Sequence, residues 1–205
     1  MLRIGILAST RGTDITAIID AIKSKKINVK ICTIISDKKD SLALEKARKN
    51  NIDSRFIDSL GKDRQAYDKE VAKELGRHEV KLVLLIGYMR ILSNWFLGKY
   101  KNRIINIHPS LLPAFAGKMD KDVHKMVIDY GCKVSGCTLH FVNENVDLGP
   151  IIMQKAVDIC PDETSDSLKG KVQRAEQQII VMALDLFEKK NIKLQGRKVI
   201  LDTNN

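Results

Sequence analysis

A chain of 205 residues with 44% hydrophobic and 29% charged residues can bury one sizeable core, and it is too apolar to be a disordered segment. Its formal charge of +10 permits a phosphate-bearing or polyanionic partner, and its scattered lysines read nearly as well as solvated helix ends and loops. An aromatic content of only 5% argues against a stacking surface for single-stranded nucleic acid.

No apolar run reaches the ~18 residues of a membrane span, and the opening Met1-Leu2-Arg3 does not lead into a signal peptide. The expected location is the cytoplasm, with no membrane and no nucleic-acid partner. Cys32, Cys132, Cys137 and Cys160 form no C-x-x-C pair and meet no histidines at zinc-finger spacing, so reduced thiols and no metal site are expected.

In chain order, residues 2–8 (LRIGILA) read as a buried strand, which turns through 9–12 into a helix over 14–23. There Ile15, Ile18, Ile19 and Ile22 recur at helical spacing. A β-branched strand follows at 29–35, then a helix at 41–50 with Ser41 as its N-cap, a short strand at 54–57 and a helix at 67–77. The runs 82–86 (LVLLI) and 104–107 lack alternation, which indicates a parallel sheet covered on both faces.

After residue 120 the texture changes. Strands are expected at 133–141 and 150–157, then one amphipathic helix over 165–190 with Leu168, Val172, Ala175, Ile179, Met182 and Leu186 on its buried stripe. The predicted fold is α/β, a single-domain Rossmann-like open twisted sheet, mostly parallel with an antiparallel C-terminal part and helices on both faces. It covers 1–201, with 202–205 as a flexible tail.

In such sheets ligands bind beyond the carboxyl ends of the strands, which singles out three loops. Ser9-Thr10-Arg11-Gly12-Thr13-Asp14 enters a helix N-terminus and suits a phosphate, but carries one glycine where a dinucleotide fingerprint needs three. Gly87-Tyr88-Met89-Arg90-Ile91-Leu92 reads either as core or as an apolar cleft wall with Arg90 nearby. The stretch 104–113, IINIHPSLLP, places Asn106 and His108 at alternate positions of a buried strand, so both side chains can face one cavity. Pro109 biases His108 toward extended geometry. Burying such groups unpaired costs ~1–3 kcal/mol, so partners or chemistry are expected.

An orienting acid is available in Asp147, in a polar loop before Gly149-Pro150. An amide donor, a His–Asp pair and an anion site together suit proton movement and oxyanion stabilisation in acyl transfer.

These residues resemble the formyltetrahydrofolate-dependent formyltransferases: Asn106, His108 and the following Ser-Leu-Leu-Pro, Asp147, and the stretches 63–68 (DRQAYD), 87–93 (GYMRILS) and 140–147. The resemblance implies formyl transfer from 10-formyltetrahydrofolate to the amine of glycinamide ribonucleotide, without a metal or covalent intermediate. It implies Asn106, His108 and Asp147 as the catalytic set. It implies a folate cleft from Arg64, Met89, Arg90, Ile91, Leu92, Val142 and Asn143, and acceptor binding by Arg11, Gly12, Thr13, Asp14 and Glu176.

The first loop departs from the family pattern Ser-Gly-x-Gly-Ser-Asn, with Thr10 for the first glycine and Asp14 for the asparagine. A carboxylate near a phosphate is repulsive, so Asp14 is expected to cap its helix with the side chain turned away, or to be offset by Arg11. His124 and His140 are read as structural or surface residues. The competing functions are another amine acceptor, formyl-folate hydrolysis, or a non-catalytic phosphate-ligand module. The sequence leaves monomer and homodimer open.

Overall fold

The computed structural model describes residues 1–118 and 120–202, with the backbone alone at 120–122. Residues 203–205 of the expected tail lie outside the described residues. The chain divides into two compact units, Met1–Asn106 and Ile107–Asn205.

The first unit contains β1 (Leu2–Leu7), α1 (Thr13–Lys23), β2 (Val29–Ser36), α2 (Leu42–Lys49), β3 (Ser54–Phe56), α3 (Arg64–Arg77), β4 (Leu82–Leu85) and α4 (Asn94–Lys99). It also holds most of β5 (Ile104–His108), the strand in which the chain passes from one unit to the next. The strands lie in the order β3-β2-β1-β4-β5, each neighbouring pair parallel.

Ile4, Ile6, Val83 and Leu84 are wholly buried, which is why these strands show apolar runs without alternation. The direction of winding reverses between β1 and β4, so their carboxyl ends open the crevice where such folds bind ligands. Right-handed crossovers set α1 and α2 over one face and α3 and α4 over the other, consistent with the α1–α2 and α3–α4 packing.

Most boundaries agree with the sequence expectations to within two residues. Helix α3 begins three residues early, because the Asp63 carboxylate accepts from Ala66 N–H at 2.7 Å and caps it at Arg64. Helix α4 has no counterpart in the sequence reading: six residues are too few for a 3.6 period to emerge. It is started by Ser93, whose Oγ accepts from Phe96 N–H at 3.3 Å. It carries Trp95, 37% exposed, with Lys69 Nζ 5.8 Å and Lys99 Nζ 5.7 Å from the ring centre.

The second unit contains α5 (Asp120–Asp129), β6 (Val134–Phe141), β7 (Ile151–Asp158), α6 (Ser165–Glu188), β8 (Ile192–Gln195) and β9 (Lys198–Leu201). Strands β6 and β7 pair antiparallel from Val134↔Asp158 to His140↔Ile151, which supplies the antiparallel C-terminal part. A second antiparallel pair, β8–β9, was not expected; its four-residue strands are too short to show alternation.

The buried stripe of α6 needs one correction. Leu168, Val172, Ala175 and Ile179 face inward, but the stripe then steps by four to Ala183 and leaves Met182 56% exposed. Alternating steps of four and three fall short of 3.6 residues per turn, so the expected stripe drifts off the face that packs on β6 and β7.

Candidate active site

In the first unit the loops after β1 and β4 are zipped together. Ser9 N–H donates to Gly87 O at 3.1 Å, and Met89 N–H donates to Ser9 Oγ at 2.9 Å. Gly12 is the N-cap of α1 at φ 55°, a left-handed conformation that glycine adopts without strain. Its neighbours Arg11 and Thr13 are exposed and half-buried, while Asp14 is buried in the first turn of α1.

The stretches DRQAYD and GYMRILS are physically joined. Asp68 accepts from Ser93 N–H at 2.6 Å. Burial raises the Asp68 carboxyl pKa, against the lowering effect of Ser93 and the Arg90 and Arg64 charges. The Arg90 guanidinium lies over the Tyr67 ring, 4.2 Å from its centre, a cation–π contact. Burial pushes the Tyr67 phenol up to about 12 and that of Tyr88 further, so both stay neutral across the physiological range.

Residues 89–92 thus form a braced loop. Met89 and Ile91 are exposed, at 43% and 55%, while Leu92 is buried. That alternation gives the loop one apolar outer wall and one anchor. Arg64, the first residue of α3, is exposed. Asn106 is half-buried on β5, in register with Leu85 of β4.

In the second unit the structure brings together the histidine and the acid that the sequence paired. His108 Nδ1 lies 3.4 Å from Asp147 Oδ2, and both side chains are largely buried. Asp147 Oδ2 also accepts from Gly117 N–H at 2.9 Å. His140, read from sequence as structural or surface, is buried and stands on the other side of the same carboxylate, with Nε2 3.6 Å from Asp147 Oδ1. A carbonyl only accepts, so the 2.9 Å contact with Phe141 O assigns the Nδ1 proton to the backbone side of that ring. Burial would raise the Asp147 carboxyl pKa; His140, the His108 charge and Gly117 N–H outweigh it and hold the group below the usual carboxylate range.

Local backbone explains how Asp147 is presented. It sits at φ 56°, a conformation that Asp and Asn tolerate better than other side chains. The loop 142–150 is closed by Phe141 N–H donating to Pro150 O at 2.9 Å, with Asn143 Oδ1 accepting from Asn145 N–H at 3.1 Å. Gly149 is required for this closure, because a Cβ there would stand 1.7 Å from Phe141 O. Gly149→Ala is expected to lower unfolding free energy by at least ~2 kcal/mol, read by urea titration; wild-type stability would mean the loop relaxes freely. Val142 and Asn143 are half-buried at the start of this loop, and Glu176 is buried on α6.

Sequence reasoning missed Tyr67, Asp68 and His140. The signals available were weak: each is a polar residue on an otherwise inward-facing position. Among the described residues no group of three or more His, Cys, Asp or Glu side chains is placed to hold a metal ion.

The formyl transferase family model matches residues 2–184, from β1 into α6. The chain belongs to the formyl transferase family. Within it, the chain is similar to the phosphoribosylglycinamide formyltransferase of Escherichia coli (strain K12), 34% identical over 202 residues, covering 98% of this chain and 94% of that protein. It is also similar to the trifunctional purine biosynthetic protein adenosine-3 of Bos taurus, 38% identical over 193 residues and 94% of this chain. The chain spans only 19% of that bovine protein. The crystal structure of glycinamide ribonucleotide transformylase 1 from Symbiobacterium toebii matches with a TM-score of 0.93 at 40% identity, over 98% of this chain and 95% of that one. The α/β class, with a mostly parallel open sheet and an antiparallel C-terminal part, is the fold of that structure and of this chain.

Proposed function

We propose that this protein transfers the formyl group of 10-formyltetrahydrofolate to the amine of glycinamide ribonucleotide, a step of purine biosynthesis, in the cytoplasm and without a metal. The observation that carries the reading is the buried His108–Asp147 contact at 3.4 Å, on a chain of the formyl transferase family. Residues 1–201 act as one formyltransferase domain.

Direct attack of the amine on the formyl carbon creates an oxyanion, and the amine must shed a proton as the folate nitrogen gains one. Asn106 donates its amide N–H to the formyl oxygen, the role of an oxyanion-hole donor. His108 shares that stabilisation and relays the proton, while the Asp147 carboxylate orients its ring and favours its charged form. The apolar wall of Met89 and Ile91, anchored by Leu92, receives the pterin together with Val142 and Asn143. Arg64 meets a carboxylate of the folate, and Arg90 lies near the pterin. Backbone N–H groups of Arg11, Gly12, Thr13 and Asp14 hold the acceptor's phosphate, and Glu176 its ribose hydroxyls.

The test is loss of formyl-folate followed by absorbance, with and without glycinamide ribonucleotide. Conversion that depends on the ribonucleotide is expected. Equal conversion without it would replace the transferase with a hydrolase, and tight folate binding with no conversion would leave a binding module.

A further inference from the structure

The acidic residue at position 14 raises a problem that the second helix of the first unit answers. A carboxylate in the first turn of α1, beside a loop that receives a phosphate, repels its ligand. The sequence offered Arg11 as the balancing charge, yet Arg11 is exposed. The half-buried Lys46 of α2 instead donates from Nζ to Gly12 O at 2.8 Å. At the N-cap of the same helix, Ser41 Oγ donates to Thr10 O at 2.9 Å while accepting from Ala43 N–H at 3.2 Å. Ala43 closes the contact: a Cβ on Gly12 would meet Ala43 Cβ at 3.1 Å.

These bonds have a directional consequence. In a trans peptide the carbonyl of one residue and the N–H of the next point in opposite directions. Holding Thr10 O against Ser41 therefore turns Arg11 N–H away from α2. Holding Gly12 O against Lys46 does the same for Thr13 N–H. We propose that Lys46, with Ser41, is the positioning residue of the acceptor-phosphate loop: it fixes the peptide planes whose N–H groups meet the phosphate and offsets the charge of Asp14. The inference rests on the acceptor reading above and deepens it. The electrostatics agree, since burial lowers the Lys46 pKa and the Asp14 charge works to raise it.

Lys46 touches neither reacting atom, so its effect is confined to the acceptor. In the full chain, Lys46→Met is expected to raise KM for glycinamide ribonucleotide about tenfold or more, the scale of one lost charge-assisted hydrogen bond. KM for 10-formyltetrahydrofolate stays within about twofold. Lys46→Arg recovers most of the loss, and adding Asp14→Asn to Lys46→Met recovers part of it, because the negative charge that Lys46 faces is then removed. An unchanged acceptor KM overturns the proposal, as does an equal rise in both KM values or a fall in melting temperature with wild-type constants. Calorimetric titration with the ribonucleotide separates this outcome from failure of the function. Wild-type binding without turnover refutes the transferase and leaves the clamp to be decided by the ratio of Kd values. No wild-type binding, or equal Kd values in wild type and Lys46→Met, refutes the clamp.

Discussion

Asp147→Asn will lower ribonucleotide-dependent turnover by about 10²–10⁴-fold, the range of a lost acid–base partner, while the chain stays folded. The exchange removes the charge beside His108 and keeps the shape. It also keeps the left-handed backbone at φ 56°, which asparagine accepts as readily as aspartate. Gly117 N–H, which donates to Oδ2 at 2.9 Å, can still find the amide oxygen. The stability difference from wild type lies at neutral pH and closes in acid, and the sign follows from the lowered pKa of Asp147. A depressed folded-state pKa contributes stability that is present above the unfolded value and lost as pH falls through the folded one. The wild type therefore carries this increment at neutral pH and loses it in acid, whereas the asparagine variant lacks it throughout. Single-turnover rates and melting curves against pH check both halves. A variant that unfolds at neutral pH would make Asp147 a structural residue, and one that keeps a tenth of the rate would remove it from the mechanism.

Asn106→Leu will reduce kcat by about 10²–10³-fold, the cost of one oxyanion donor, with both KM values nearly unchanged. Leucine keeps the branched shape of asparagine without its polar atoms and suits the apolar surroundings of β5, where Ile104 and Ile105 are buried. The strand pairing of Asn106 with Leu85 is made by backbone and survives. The signature to look for is a loss in kcat and kcat/KM together, which marks an interaction made in the transition state. A rise in KM alone would turn Asn106 into a binding residue.

The buried strands were readable because they are apolar throughout, and parallel strands covered on both faces have to be. Helices α1, α2 and α3 were readable from their patterning, down to Ser41 as the N-cap of α2. What escaped was short or tertiary, apart from the ten-residue α5, for which the sequence reading offered no helix. Helix α4 and the β8–β9 pair are too brief to impose a period. Asp68 is one more helical polar residue until the chain folds and Ser93 N–H arrives at 2.6 Å. His140 sits in an apolar strand, where a histidine is most often a satisfied core residue; only the position of Asp147 gives it a second neighbour. The pairing of His108 with Asp147 lay between these cases. The residue types suggested acid–base chemistry, and the family resemblance picked the partner from 25 acidic side chains. Lys46 carried no sequence signal, because a lysine on a surface helix is ordinary until its ammonium reaches Gly12 O.

Trp95 is the only tryptophan in the chain, and it lies in the first unit on α4, flanked by two ammonium groups. The intrinsic fluorescence of this protein is therefore a local reporter. It follows the α3–α4 region. Circular dichroism sums the helices of both units, α1 to α6, so the second unit's melt shows as the part of that signal the fluorescence does not track. Recorded on one sample, the two optical signals form a built-in comparison of how the halves of the molecule melt, without any label.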